Sequence, residues 1–518
     1  MSGSTESQVA SDVPITTVAA PKNRIAMLIA GFTMELILGT LYGFSIFVEP
    51  IQKELQWTDS ILSSSFSLAV AGLGFGCPFA GRLLDLSTPQ VTGYSSAVLF
   101  LLGHLGAGLS VQLDIPILFF FCYGVLAGVS FALGYVTPVS PCVSYFPELK
   151  GLAGGIVLAG FGLGSTKMAQ LNTRMVESIG TAATLKILGI YGSIIVGVCT
   201  FFIHKAPPGY QGKRKAGDST PIPVDESIDF WVGFKTVTLW KVFITIFGTT
   251  ITGVSLISQM APIFSDVFGL YESAAASWMT LFSIVNMASR FLYPTFSDVL
   301  SRWNISRKWI LVFQVTCAML VNASMSFVMT NQILWLYVIF GSIIVSSMAG
   351  SLGSLPSILA ELFGTKFLSS YFALCLAAWG TAGIVGSNFL AKIKESNIAN
   401  GVDRHLRYRE FFLYIAIVQF FILLLAITIK KPKVKSALPP VSDSNQEDNE
   451  MKSLAVAPCD CVEKEVEETE VVELKEEVED KVKEGAEAQD IIEGPLEEEK
   501  EVDNISINVT VEDHESDL

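Results

Sequence analysis

The chain has 518 residues, 51% of them hydrophobic, and a mean hydropathy of +0.51. Bilayer-length apolar runs recur from residue 24 to residue 430, which excludes a soluble globular protein and marks a polytopic membrane protein. The net charge of −15 belongs to one end: residues 436–518 hold 28 acidic and 6 basic side chains (−22) and the remainder 21 acidic and 28 basic (+7), so the acidity says nothing about a path through the membrane.

The first 22 residues are polar and rich in Ser and Thr. They lack the basic region, short apolar stretch and cleavage site of a removable signal, so the first span is expected to be its own insertion signal. Twelve spans are predicted, at about 24–48, 60–80, 91–111, 115–139, 151–171 and 183–203, then 240–262, 274–296, 309–329, 333–355, 369–391 and 411–430. With both termini cytoplasmic, the cytoplasmic segments up to Lys435 hold 18 Lys/Arg against 8 outside, as the positive-inside rule requires. The segment with Lys392, Lys394, Arg404, Arg407 and Arg409 runs against that orientation.

Span 1 contains a single acid, Glu35, with Tyr42 seven residues on along the same helical face. A lone intramembrane glutamate points to function, here as a candidate proton-coupling site, with a protonated structural carboxyl as the alternative. Gly81 and Asp85 follow span 2 in GRLLD, and Phe146 is expected in the loop after span 4. Span 5 is dense in glycine: Gly151, Gly154, Gly155, Gly160, Gly162 and Gly164. No strand precedes this run and no acidic residue closes a βαβ unit, so it reads as a close-packing or gating surface and not as a nucleotide loop. Lys167, farther along, is expected to reach outward or to add positive potential to an outward vestibule. Residues 204–239, with Lys205, Lys213, Arg214 and Lys215, read as a flexible cytoplasmic joint that can rest on anionic lipid.

Span 8 carries Arg290, eight residues or roughly 12 Å of helix before an expected Ser297-Asp298 loop. Burying a guanidinium at the bilayer centre costs about 2.5 kcal/mol or more, so the residue implies a water-filled cavity or a partner. An anion-binding role is favoured over snorkelling or pairing with a helix-end carboxylate such as Asp298. Six cysteines (Cys77, Cys122, Cys142, Cys199, Cys317 and Cys375) sit singly in apolar segments, without metal or disulfide spacing. The tail from Ser436 is Glu- and Val-rich and reads as disordered; Cys459 and Cys461 form at most a weak lipidation or metal motif, and the Asn504 and Asn508 glycosylation patterns fall on the cytoplasmic side.

The second half repeats the first. Asp85 corresponds to Asp298 at an offset of 213, Phe146 to Phe363 at 217, and the Ala159-Gly160-Phe161-Gly162 run to Ala378-Trp379-Gly380 near 218. The position eight before the aspartate is Cys77 in one half and Arg290 in the other, so the cation is a specialisation of the second half. Two six-helix halves that rock about a central site are expected.

The string YFPELKGLAGGIVLAGFGLGS (Tyr145 to Ser165), the Asn286-to-Arg290 spacing, Ser297-Asp298 and the ELFGT of Glu361 to Thr365 resemble the oxalate/formate antiporter family of the major facilitator superfamily, with the monocarboxylate transporters next. The resemblance covers about residues 25–430. It implies an all-α, twelve-helix membrane carrier of small carboxylates that works by alternating access, with Arg290 gripping the carboxylate and Tyr42 and Tyr135 lining the cavity. It also implies departures. Trp379 stands where the oxalate carriers have a lysine, Met348 and Leu352 replace span-10 aromatics, Leu41 replaces a polar residue, the arginine that normally follows Asp85 is missing, and Asn286 replaces the aspartate of monocarboxylate transporters.

The expected organisation is a cytoplasmic N-terminus (1–23), a six-helix half (24–203), the joint (204–239), a second half (240–435) and the acidic tail (436–518). The expected function is secondary transport of monocarboxylates such as pyruvate, lactate or formate with a proton or counter-anion, in the plasma membrane or an organelle membrane. The site residues are Arg290, Tyr42, Tyr135, Asn286 and Trp379, with Asp85 and Asp298 as gating residues. No enzymatic activity, metal, cofactor or nucleic acid is called for. A carrier of amino acids or other small polar solutes, with Glu35 meeting an ammonium, and a transport-inactive sensor or scaffold acting through a cytoplasmic partner of the tail are the alternatives.

Overall fold

In lipid a spanning segment must satisfy its own backbone, and every long apolar run described here does so as a helix. The computed structural model describes residues 23–207, 210, 227–270 and 272–432. The acidic tail, Lys213, Arg214, Lys215, Cys459, Cys461, Asn504 and Asn508 lie outside the described residues.

Among the described residues, twelve membrane-length helical segments follow one another. Span 1 is Arg24–Leu38, a tight turn Gly39–Gly43 and Ser45–Leu55; spans 2 and 3 are Asp59–Leu86 and Pro89–Leu113. Span 4 runs from Pro116–Phe119 through a π-helical stretch, Phe120–Ala127, into Gly128–Val136 and Val139–Tyr145. Spans 5 and 6 are Lys150–Ile179 and Thr181–Phe202. The second half comprises Val237–Ser258 continued by Met260–Phe268, then Glu272–Arg302, Lys308–Thr330, Leu334–Phe363, Leu368–Ala399 and Arg409–Ile427, spans 7 to 12. Among the described residues, eleven candidate membrane spans stand out by length and composition. Span 8 is outside that set because it carries Asn286, Arg290 and Asp298 within its 31 residues.

Several helix ends differ from expectation. Span 2 runs to Leu86 and span 8 to Arg302, so Asp85 and the Ser297-Asp298 pair are helical and not in loops. Phe363, matched to the loop residue Phe146, is the last residue of span 10. Hydropathy marks where a side chain leaves lipid, whereas backbone hydrogen bonding carries the helix one or two turns further. Within the expected joint, residues 227–234 are built onto the second half: Ile228 N donates to Phe363 O at 2.9 Å, and the Tyr371 hydroxyl donates to Asp229 O at 2.9 Å.

The halves meet where span 5 runs along span 8 and span 2 along span 11. At the Arg24 end the two seams close by the same device. Asp298 Oδ1 and Oδ2 accept from Gly151 N and Leu152 N, at 2.9 and 2.8 Å, in the first turn of span 5. Asp85 Oδ2 accepts from Ser370 N at 2.8 Å and Ser370 Oγ at 2.5 Å, in the first turn of span 11. First-turn N–H groups lack intrahelical acceptors, and an anion there is worth about 0.3–1 kcal/mol, up to about 2 when partly buried. Each half thus offers a carboxylate to a helix start of the other. The Arg307 guanidinium also holds Asp298, at 2.9 Å, so Asp298 is engaged away from Arg290.

Glycines set the helix spacing around span 5. A Cβ on Gly160 or Gly164 would strike the Phe32 or Leu36 carbonyl of span 1, whereas Gly155 and Gly162 lie against Arg290 O and Met287 Cα of span 8, where a Cβ would come within 3.0 and 3.1 Å. The same run therefore packs span 5 closely on both sides.

Candidate functional site

Arg290 lies midway along span 8 and is 2% exposed. One turn earlier, Asn286 Oδ1 accepts from its Nε at 3.0 Å, an i, i+4 contact that a helix supplies from sequence spacing alone. From the other half, the Tyr135 hydroxyl accepts from Nη1 at 3.1 Å. The guanidinium carbon lies 5.5 Å from the Phe161 ring centroid, within cation–π range. Among the described residues, no carboxylate lies within ion-pair distance of Arg290. Of the five N–H donors of a guanidinium, only two are tied in these bonds.

The arginine faces a narrow cavity lined by Tyr42, Leu73, Cys77, Tyr135, Phe161, Arg290, Leu352, Leu376 and Trp379. The space inside it that a water molecule could occupy is only about 10 Å³, so a ligand needs the walls to part. Its walls are aromatic and aliphatic. Phe161 stands edge-on to both Tyr42 (5.3 Å) and Tyr135 (5.1 Å), and Tyr42 also meets Trp379 edge-on at 6.5 Å. Both halves contribute, with spans 1, 2, 4 and 5 on one side and 8, 10 and 11 on the other. Tyr42 sits in the tight turn that interrupts span 1, and its side chain is 36% exposed.

The structure gathers Arg290, Tyr42, Tyr135 and Trp379 around one cavity, with Asn286 holding the arginine from behind. Glu35 is apart from the lining: it is fully buried where span 1 meets Gly160, and neither carboxylate oxygen has a hydrogen-bond partner among the described residues. Asp85 and Asp298 lie at the closed seams and Lys167 is exposed, all away from the cavity. Met348 packs on Gly253 of span 7, whereas Leu352, one turn later, lines the cavity. Sequence reasoning missed Phe161, Leu73 and Leu376 as lining residues. For Phe161 a signal was present, a lone aromatic between Gly160 and Gly162, where close backbone approach leaves its ring as the only bulk. Cys77, which matches Arg290 by internal repeat, lines the same cavity.

A sequence model of the Major Facilitator Superfamily matches residues 24–387. The chain belongs to that superfamily. Among its relatives is the uncharacterized MFS-type transporter YhjX of Escherichia coli (strain K12), 23% identical over 363 residues that cover 70% of this chain and 86% of that protein. The oxalate:formate antiporter of Oxalobacter formigenes is 21% identical and is matched over 71% of this chain and 84% of its own. The solved proton:xylose symporter XylE superposes with a TM-score of 0.61 at 14% identity, covering 79% of this chain and 96% of that one. At that identity the likeness shows the fold alone. This major facilitator superfamily member is therefore an integral, multi-pass membrane transporter with two six-helix halves.

Proposed function

We propose that this transporter carries small monocarboxylates, of the size of formate, pyruvate or lactate, by alternating access, with a proton as the coupled ion. The reading rests on one observation: a buried guanidinium with no carboxylate within ion-pair distance among the described residues, facing a small cavity whose other walls are phenol, phenyl, indole, thiol and aliphatic groups. A carboxylate seated on the free edge of Arg290 supplies the missing charge through two parallel N–H···O bonds. Tyr135 and Asn286 hold the guanidinium plane in place, and Tyr42 and Trp379 receive the rest of the ligand. The name of the Oxalobacter formigenes relative pairs oxalate with formate, which supports small carboxylates as the ligand class; the restriction to monocarboxylates rests on the single cation of the cavity.

Glu35 suits the proton-carrying role because a buried carboxyl without a hydrogen-bond partner is costly to ionise unless a cation is near. The amino-acid reading would need Glu35 in the cavity wall to meet an ammonium, and Glu35 is not among the lining residues. With both termini cytoplasmic, the seams closed by Asp85 and Asp298 face the cytoplasm, and the transport cycle opens them.

Uptake of labelled pyruvate, lactate and formate into proteoliposomes, with and without an imposed pH gradient, tests the proposal. Saturable uptake stimulated by an inward proton gradient is expected; uptake of neutral amino acids in place of all three acids would overturn it.

A further inference from the structure

The N-terminal end of spans 7 and 9 and the C-terminal end of span 12 come together at a cluster of lysines that lies outside the cavity lining. Lys308 Nζ donates to Ile427 O and Ile429 O at 3.0 and 2.8 Å. Lys241 Nζ donates to Thr428 Oγ1 at 2.8 Å, and Thr238 Oγ1 donates to Lys430 O at 3.0 Å, which brings Lys430 to the same corner. Positive charge at a helix C-terminus is favourable, and capping of span 12 accounts for part of this arrangement. It does not account for the charge. Among the described residues no carboxylate pairs with Lys241, Lys308 or Lys430, and Lys430 is exposed with its side chain outside the capping bonds.

The surroundings identify what neutralises it. Trp240 and Trp309 flank the cluster, both exposed, and Lys308 Nζ lies 5.4 Å from the Trp309 ring centroid. One helical turn deeper on the same three spans, Ile244, Phe313 and Ile427 are exposed. Spans 7, 9 and 12 pack together, so these residues continue the same corner toward the middle of the spans. Indoles at headgroup level, cations beside them and bare apolar side chains below match the three layers of a phospholipid, with phosphate above and acyl chains below.

We propose that Lys241, Lys308 and Lys430 form a binding site for the headgroup of one anionic phospholipid, whose acyl chains lie along Ile244, Phe313 and Ile427. A soluble anion would use the lysines but not the apolar layer.

Native mass spectrometry of the full-length protein in micelles with equal phosphatidylglycerol and phosphatidylcholine reads the site directly. The unmodified protein is expected to retain phosphatidylglycerol over phosphatidylcholine. Lys430→Gln, which leaves the span 12 cap intact, should reduce that preference roughly fivefold. Lys241→Gln with Lys308→Gln should lower it further, and Lys308→Arg should keep it. Because the preference is a ratio measured on one protein sample, loss of capping stability does not mimic the result. Equal retention of the two lipids by the unmodified protein, or an unchanged preference when all three lysines are replaced, would overturn the proposal. Displacement of phosphatidylglycerol by inorganic phosphate at comparable concentration would assign the lysines to a free anion and overturn it equally.

Discussion

Arg290 of span 8 and Tyr135 of span 4 join the two halves at the centre of the bundle, Nη1 donating to the phenolic oxygen at 3.1 Å. In the alternating-access cycle proposed above the halves rotate against each other, so this bond is one of the contacts between them that the cycle has to rearrange. Tyr135→Phe removes the acceptor and preserves the ring that packs edge-on to Phe161. Hydrogen bonds to charged groups contribute about 1.5–3 kcal/mol, so apparent affinity is expected to fall roughly tenfold or more, with normal membrane insertion. Uptake kinetics in proteoliposomes check it; an unchanged KM would show that the tyrosine only fills space.

Arg290→Lys retains the charge but loses the planar two-pronged donor and the Nε contact to Asn286. The expected result is a large loss of affinity with the protein still folded and inserted, and Arg290→Ala should abolish saturable uptake. Wild-type kinetics in Arg290→Ala would remove the carboxylate-binding role altogether.

How much of this was readable beforehand depends on what each signal reports. The span count and the pseudo-symmetric halves follow from apolar runs and from the offset of 213 between Asp85 and Asp298, and these patterns survive folding unchanged. Arg290 and Glu35 stand out because charge inside an apolar run has few bland explanations. The partners of Asp85 and Asp298 were not readable, since each carboxylate reaches backbone N–H groups of the opposite half and any residue type can supply those. Phe161 and Leu73 were hidden for a related reason: an apolar residue in a membrane helix looks the same whether it faces lipid, core or cavity.

Closure at the Arg24 end leaves no space at Gly151, where an added Cβ would press into the Pro294 carbonyl and lie 2.9 Å from Asp298 Oδ1. Gly151→Ala should therefore favour the conformation in which this end is open. Labelling of a cysteine introduced on the span 5 side of the seam is expected to become faster, while net transport slows. Labelling no faster than in the parent protein would mean that spans 5 and 8 relax around the methyl group.

Glu35→Gln keeps the size and burial of the side chain but cannot exchange a proton. If Glu35 couples transport to the gradient, substrate exchange across the membrane persists and pH-driven accumulation disappears. Accumulation equal to that of the parent would return Glu35 to a structural role.

If the cavity takes a carboxylate as proposed, Trp379 is expected to limit it to one negative charge. It is 6% exposed, lines the cavity and meets Tyr42 edge-on. A dicarboxylate places its second charge among Leu73, Leu352, Leu376 and the indole, and an unpaired buried charge costs several kcal/mol even after relaxation. Oxalate is therefore expected to compete poorly with pyruvate or lactate. Trp379→Lys provides a second cation, but a lysine in an apolar wall is itself held neutral unless an anion arrives with it, so the gain should appear for dicarboxylates and not for monocarboxylates. Trp379→Leu serves as the control for lost volume, since it opens space without adding charge. Competition assays on the three proteins separate the effects: better oxalate inhibition in Trp379→Lys alone supports charge matching, and equal improvement in Trp379→Leu shows that the indole excludes oxalate by size. Oxalate displacing pyruvate at lower concentration in the unmodified protein would contradict the single-cation site, because some other cation would then have to reach the cavity when the second carboxylate binds.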